Sequence, residues 1–501
     1  MKKLLIGVHL GSHDLNLSLY DGKKFKYIHY ERHCAYKNAG LTKLNEAAFF
    51  ISKCIEVYGY DTKDIKSIAC TIGERDDLSV FLKDEKTLVS KINLFENSDD
   101  CYQLDHHYAH ALSSFPVIDT NNHYVNDGHG DWHKYLSVIK KDKLNDYLVE
   151  GLHGNSFGGL LQDLCEIQGL SWNDAGKLMA FIGFGKIDYD YINKFKDQDL
   201  KNSHVYSHSR EFLRYSYNKG VRKDLYDISN QSNFISTLHK LYEIKFLDFL
   251  KNYFNKNESF SYSGGIAQSI VLNTSYKKMF PNMTITPHCG DSGLSLGCIE
   301  WLRKHYGYDP ININDFPFIQ ADEHPGAVSK QTIKKTAEFL AKKKIVLWYQ
   351  GHGEVGPRAL GNRSILMSPE GDKNSLNEKV KKREWYRPYG ASVTIDNYKQ
   401  YFDLDWDSPY MLYNSKVKDT NKFKCITHVD GTCRIQTVSN KHEVYYDLLC
   451  EFEKLTGFPI LLNTSFNMQG KPIVGTKKQA KIMFDNSNAD ILVIGDDMYV
   501  K

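Results

Sequence analysis

Between Asp309 and Ala327 the chain runs DPININDFPFIQADEHPGA, a stretch rich in Pro, Asp and Asn with neither a helical nor a strand-like apolar period. Such a break divides the sequence into two blocks. A length of 501 residues is already more than one hydrophobic core ordinarily organises. Before the break, LLIGVHL, NLSLYDG, FKYIHYE and SIACTIG read as strands around a helical stretch from Leu44 to Tyr58. Asp21-Gly22 is a hairpin-type turn between two of them. A helical and loop-rich middle leads to FSYSGGIAQSIVLN, a strand entering glycines and then a helix. After the break, TIKKTAEFLAKKK is an amphipathic helix, IVLWYQG a buried strand and ILVIGDD strand-like. The pattern predicts two α/β domains, residues 1–318 and 319–501, without internal repeats.

Several function classes lose their usual support. A formal charge of +3 is small for this size and gives no electrostatic argument for a nucleic-acid or membrane partner. No apolar run approaches the roughly 18 residues of a membrane span. The opening MKKLLIGVHLG runs into alternating LNLSLY without a small-residue cleavage site, so it reads as a first strand. Ten scattered cysteines with no CxxC pair fit neither a disulfide framework nor a zinc ribbon, and point to a reducing cytoplasm.

In the first block, GVHLGSHDLNLSLYDG sets Gly7, Gly11, His13 and Asp14 around a strand–strand turn, where glycines would let backbone amides approach a phosphate. DHHYAHALSSF places His106 and His110 four apart, on one face if helical, so both imidazoles can reach one ion. YVNDGHGDW puts Asp127 at a glycine-rich turn after a strand, and HCGDSGLSLG puts Asp291 directly before a helix. Each aspartate alone equally reads as a turn or helix cap. Together with the two histidines they form a mixed N/O set suited to iron, zinc or manganese. Gly264 and Gly265 open a helix N-terminus that could take an anion, and Lys177 in NDAGKLMA is a second anion contact or a solvated lysine.

The second block carries more cations among turns. GHGEVGPRALGNRS holds Arg358 and Arg363, KKREWYRP holds Lys381, Lys382, Arg383 and Arg387, and CITHVDGTCRIQTV holds His428 and Arg434. ILLNTSFN adds Asn463, Thr464, Ser465 and Asn467 at the end of an apolar strand. Arginine forks suit phosphates, and neutral donors read a carbamoyl or phosphate oxygen. KKRE alone reads as a solvated helix face; three such segments predict a polyanion pocket. There is no P-loop, so any ATP site must use another scaffold.

GPRALGNRS, the K-x-R-E-W-Y-R-P run from Lys381, THVDGT-x-R-x-QTV and LNTSFN, in this order after HHxxHA and GDSGxxLG, resemble the NodU/CmcH-type O-carbamoyltransferases over nearly the whole chain. The resemblance implies an N-terminal actin/hexokinase-like ATPase (ASKHA) fold and a C-terminal YrdC-like domain. It implies that the second domain makes carbamoyl-adenylate from ATP, with magnesium, and carbamoyl phosphate. The first domain would then pass the carbamoyl group to a hydroxyl. Carried over by motif, His106, His110, Asp127 and Asp291 are the ligands of iron(II) or another divalent metal. Arg358, Lys381, Arg387, His428, Arg434, Asn463, Ser465 and Asn467 contact ATP and carbamoyl phosphate. Lys177, Gly264 and Gly265 contact the adenylate, and His13, Asp14 and Lys37 belong to the transfer chemistry. Gln268, Ala175, His352 and Gly390-Ala391 depart from the family's usual Asn, acidic residue, Arg and Ala-Pro.

The expected acceptor is a small-molecule, sugar or natural-product hydroxyl. The alternatives are a hydroxymethylated nucleotide or DNA base, and a non-catalytic nucleotide-binding regulator. Acceptor residues are expected between Ser137 and Phe254, where KNSHVYSHSREFLRYSYNKGVRK is basic and aromatic. No membrane partner is expected, and a homodimer is compatible with the reading.

Overall fold

The computed structural model describes residues 3–41, 43–73, 82–93, 100–141, 146–153, 156–167, 170–171, 174–198, 200 and 228–501. The basic aromatic stretch at 201–223 lies outside the described residues. The chain is mixed α/β and forms three sheets.

The first sheet contains β1 (Leu4–Leu10), β2 (Asn16–Tyr20), β3 (Phe25–His29), β4 (Ile65–Ile72), β5 (Val89–Ile92) and β6 (Cys101–Leu104), in the order β3-β2-β1-β4-β6-β5. β1 to β3 form an antiparallel meander, and β4 joins the other side of β1 in parallel. The second sheet repeats this plan. β7 (Asn122–Asn126), β8 (Lys134–Lys141) and β9 (Asp146–His153) form a meander, and β10 (Phe260–Ser263) runs parallel to β7. β11 (Met283–Ile285) completes it in parallel beside β10. A duplicated meander-plus-parallel-strand unit is the plan expected of an actin-like ATPase fold.

The helix Leu294–His305 packs on β1, β4 and β2 of the first sheet and on the helix His106–Leu112. A side chain on Gly7 would strike the Ser295 carbonyl and the Ile299 backbone, the latter at 2.7 Å. Gly7 therefore serves close helix–sheet packing and not, as its turn-side position suggested, the approach of a phosphate. Burial of Leu294, Leu296, Ile299 and Leu302 on this helix anchors it, at roughly 1.5–3 kcal/mol for each large apolar side chain.

The third sheet runs β15-β16-β14-β17-β13-β12-β18-β19. Its members are β12 (Val346–Tyr349), β13 (Arg363–Met367), β14 (Gly390–Thr394), β15 (Tyr413–Lys416), β16 (Thr432–Val438), β17 (Ile460–Ser465), β18 (Ile491–Ile494) and β19 (Asp497–Val500). The amphipathic helix Lys330–Ala341 turns Ile333, Ala337 and Leu340 into the core shared with Leu448, Phe452 and Leu347. Ser329 caps it by accepting the Thr332 amide at 3.2 Å.

The Asp309–Ala327 stretch is a packed strap. Gln320 is buried and bridges Tyr27 of the first sheet to Gly353 of the second block, and the Tyr349 hydroxyl donates to the Glu323 carbonyl at 2.6 Å. Its lack of periodicity reflects isolated bridges to both sides in place of a regular ladder.

Candidate active site

Four groups converge at the top of the first block. Asp105 caps the helix His106–Leu112 by accepting the Tyr108 amide at 2.9 Å, and Asp131 accepts the His106 amide at 2.8 Å. One helical turn then brings His106 and His110 together edge to face, with ring centroids 4.8 Å apart. Asp127, just after β7, accepts the amides of Gly128 and Gly265 on Oδ1 at 2.8 and 2.7 Å. Its Oδ2 stays free to face His106 Nε2 at 3.0 Å and His110 Nε2 at 3.4 Å. Asp291 Oδ1 lies 3.5 and 3.3 Å from the same two nitrogens. Ligand atoms of the four residues all fall within 4.8 Å of one another.

Burial opposes charge on these groups, yet the carboxylates raise both imidazoles and the imidazoles hold both carboxylates well below their ordinary range. Neither ring nitrogen of the buried His110 completes a well-formed hydrogen bond. Two imidazole nitrogens and two carboxylate oxygens converging on one buried point fit a divalent metal of the iron, zinc or manganese type.

The second oxygen of Asp291 faces His13 and His9. Oδ2 lies 3.7 Å from His13 Nδ1 and 4.0 Å from His9 Nε2. His13 also meets Asp14 Oδ2 at 3.1 Å, and His29 Nε2 lies 3.6 Å from Asp14 Oδ1. Burial would lower His13, but Asp14 and Asp291 raise it to about 9. Burial drives His9 down to about 3, and its Nδ1 bonds Thr71 Oγ1 at 2.9 Å. His9 and His29 escaped the sequence reading. Their signal was a lone histidine inside an apolar strand, where a buried polar residue is informative. Lys37 is exposed, and its charge bears on Lys381.

In the second block Arg358, Lys381, Arg383, Arg387 and Arg434 gather as a cationic cluster. Burial, then Arg358, Arg383 and Arg387, push Arg434 well below the usual guanidinium range. The Nε atoms of Arg358, Arg383 and Arg434 are buried without hydrogen-bond partners. Among the described residues Glu384 is the one carboxylate ion-paired to the cluster, at 3.1 Å from Arg387. The four arginines are half-buried and Lys381 is buried, so this concentration of positive charge favours a bound anion.

Lys381 ends the π-turn Asn377–Lys381, and Lys382 then adopts φ of +46°. That reversal leaves Lys382 exposed and Lys381 buried, donating to the Ser465 carbonyl, Asn467 carbonyl and Asn467 Oδ1 at 2.7, 2.8 and 2.7 Å. Ser465 Oγ also bonds Asn467 Oδ1, at 2.6 Å. Asn463 Nδ2 bonds Ser392 Oγ at 3.0 Å while its Oδ1 stays buried and unpartnered. Glu354 Oε1 accepts three amides of the arginine loop, from Leu360, Asn362 and Arg363. Arg363 is structural: it pairs with Asp322 at 3.0 Å and lies 3.6 Å over the Tyr349 ring.

Two predicted contacts lie at the junction between the halves. His428 Nε2 bonds the Ala180 carbonyl at 2.8 Å, and Lys177 pairs with Asp174 and Glu384 at 2.9 and 2.8 Å. Gly264, at φ +97°, sits against the Asn126 backbone, and Gly265 holds Asp127.

Comparison with known proteins agrees with both halves. The family model described as carbamoyltransferase N-terminus matches residues 19–299, and that described as carbamoyltransferase C-terminus matches residues 337–501. Nodulation protein NolO of Bradyrhizobium diazoefficiens is 28% identical over 78% of this chain and 78% of its own. The 3'-hydroxymethylcephem-O-carbamoyltransferase of Amycolatopsis lactamdurans is 29% identical over 65% of each chain. Among solved structures, HypF of T. kodakarensis aligns at a TM-score of 0.38 and 14% identity, over 61% of this chain and 48% of that one. With both family models matched in order around the two clusters, this chain is a transferase of the NodU/CmcH-type carbamoyltransferase family.

Proposed function

We propose that the protein is an ATP-dependent O-carbamoyltransferase whose two halves divide the reaction, residues 319–501 activating and residues 1–318 transferring. The observation that supports this most is the cationic cluster lying one short turn from the His/Asp quartet. Arg358 Nη2 donates to the Gln268 carbonyl at 3.3 Å, and the 3-10 turn Gly265–Gln268 begins with the amide that holds Asp127.

The chemistry of activation must balance. One water converts carbamoyl phosphate to carbamate and orthophosphate, and a carbamate oxygen displaces pyrophosphate from the α-phosphorus of ATP. Both substrates are anions, delivered with magnesium on ATP, so their mutual repulsion must be offset by fixed cations. Arg358, Lys381, Arg387 and Arg434 supply them, and Asn463 and Ser465 offer neutral polar groups for the carbamoyl group.

In transfer, the acceptor hydroxyl attacks the carbamoyl carbon and AMP leaves. His106, His110, Asp127 and Asp291 would hold a divalent ion, iron(II) among those the donors fit, which when bound supplies polarisation of a carbonyl oxygen. Asp14, kept ionised by His13 and His29 against its burial, is the group that receives the hydroxyl proton, and the protonated His13 beside it holds that carboxylate in place. A sugar or natural-product hydroxyl is the acceptor class. Pyrophosphate release from ATP that requires carbamoyl phosphate, before any acceptor is supplied, tests this reading; release indifferent to carbamoyl phosphate would refute it.

A further inference from the structure

One ion-pair chain crosses from the transferring half to the cationic cluster. Lys177 Nζ lies 2.8 Å from Glu384 Oε1, and Glu384 Oε2 lies 3.1 Å from Arg387 Nη1. The segment bearing Lys177 is docked firmly. The helix Ala175–Leu178 continues into the 3-10 turn Met179–Phe184. There Phe181 packs on Tyr386 with centroids 4.5 Å apart, Phe184 meets Trp385 at 5.8 Å, and His428 bonds the Ala180 carbonyl. A surface lysine with a chance partner would not be set between two carboxylates and flanked by these contacts.

We infer that Lys177 is a positioning residue of the polyanion site, holding Glu384 so that Arg387 can be given over to an incoming phosphate. The inference rests on the proposed function only in assigning phosphates to the cluster.

The physical reason is competition for Arg387. Among the described residues, Glu384 is the carboxylate paired with the cluster, so it is the group a phosphate must displace from Arg387. A partly buried carboxylate stripped of its cation is unfavourable. Lys177 removes that penalty, because Glu384 keeps a partner when Arg387 turns to the ligand. Without Lys177, Glu384 closes on Arg387 and opposes the anion. The charge of one half thereby tunes anion binding in the other, although Lys177 itself need not touch the ligand.

The test is calorimetric titration of the full-length protein with inorganic pyrophosphate, comparing wild type, Lys177→Met, Glu384→Gln and the double variant. Lys177→Met should weaken binding about five-fold, as expected for one partly buried ion pair. In the Glu384→Gln background the same substitution should change binding by less than about two-fold, because its target is gone. Lys177→Arg, which keeps the charge, should bind as wild type, and serves if the methionine variant does not fold. A role confined to docking the 174–184 segment would weaken binding equally in both backgrounds. That outcome, unchanged affinity in Lys177→Met, or a wild type that ignores pyrophosphate would overturn the inference. Titration needs no turnover, so loss of carbamoyl-phosphate-dependent pyrophosphate release would refute the proposed reaction while leaving this cycle readable.

Discussion

Arg358 Nη2 lies 3.3 Å from the carbonyl oxygen of Gln268, a hydrogen bond that joins the cationic cluster of one half to the backbone of the other. Gln268 closes the turn whose first amide, from Gly265, fixes Asp127. At a rise of about 2 Å per residue, a 3-10 turn of this length separates its ends by only roughly 6 Å. An intermediate made at the arginines, as proposed, would therefore have a short path to the His/Asp quartet, with the glycine pair between the two.

Gly265→Ala separates these roles. An added Cβ would lie 2.8 Å from Asp127 Oδ1, displacing the carboxylate from its orienting amide. Metal affinity should fall roughly 10- to 100-fold, the usual effect of losing an orienting partner. Carbamoyl-phosphate-dependent pyrophosphate release should persist. Metal content after dialysis, set beside the release assay, checks both.

His110→Ala removes a nitrogen that no well-formed hydrogen bond employs. Carbamoyl transfer to an acceptor should disappear while adenylate formation survives. AMP and pyrophosphate followed together, with and without acceptor, would show it; surviving transfer would remove His110 from the site.

Two arginines a few strands apart should fail differently. Arg434→Ala should lower pyrophosphate release about 10²- to 10³-fold, the scale of losing one charge-stabilising donor. It should leave the melting temperature unchanged or raised, because Arg434 is repelled by its neighbours. Arg363→Ala leaves Asp322 buried without its partner and should destabilise the fold by about 3–5 kcal/mol. Thermal melts and release assays on both proteins distinguish the two behaviours.

Glu384 gives a pH signature. Burial alone would raise its carboxyl, but Lys177 and Arg387 hold it at about 2, below the ordinary 4.5. A carboxylate depressed on folding adds stability above its unfolded value, and that stability is lost as pH falls toward the folded value. Wild type should thus lose melting temperature more steeply than Glu384→Gln between pH 4.5 and about 2. Parallel curves would show that the pairing contributes nothing.

The metal-capable quartet was legible because its signals are local: two histidines one turn apart, and two aspartates at strand and helix ends. The duplicated sheets left no repeat in the sequence, since the two meanders share a topology and not a set of residues. The ion pair of Lys177 with Glu384 and the hydrogen bond of His428 to the Ala180 carbonyl join the two halves, which no local pattern records. Only KKRE taken alone reads as a solvated run; with the other basic segments Lys381 is expected in a polyanion pocket. The π-turn and left-handed Lys382 that bury it carry no composition cue.

The most direct measurement of the central claim is exchange of labelled pyrophosphate into ATP by the metal-loaded protein without acceptor. Reversible adenylate formation predicts label in ATP only when carbamoyl phosphate is present, kept in His110→Ala and lost in Arg434→Ala. Exchange that ignores carbamoyl phosphate, or none from folded protein, would contradict the assignment of activation to the C-terminal half.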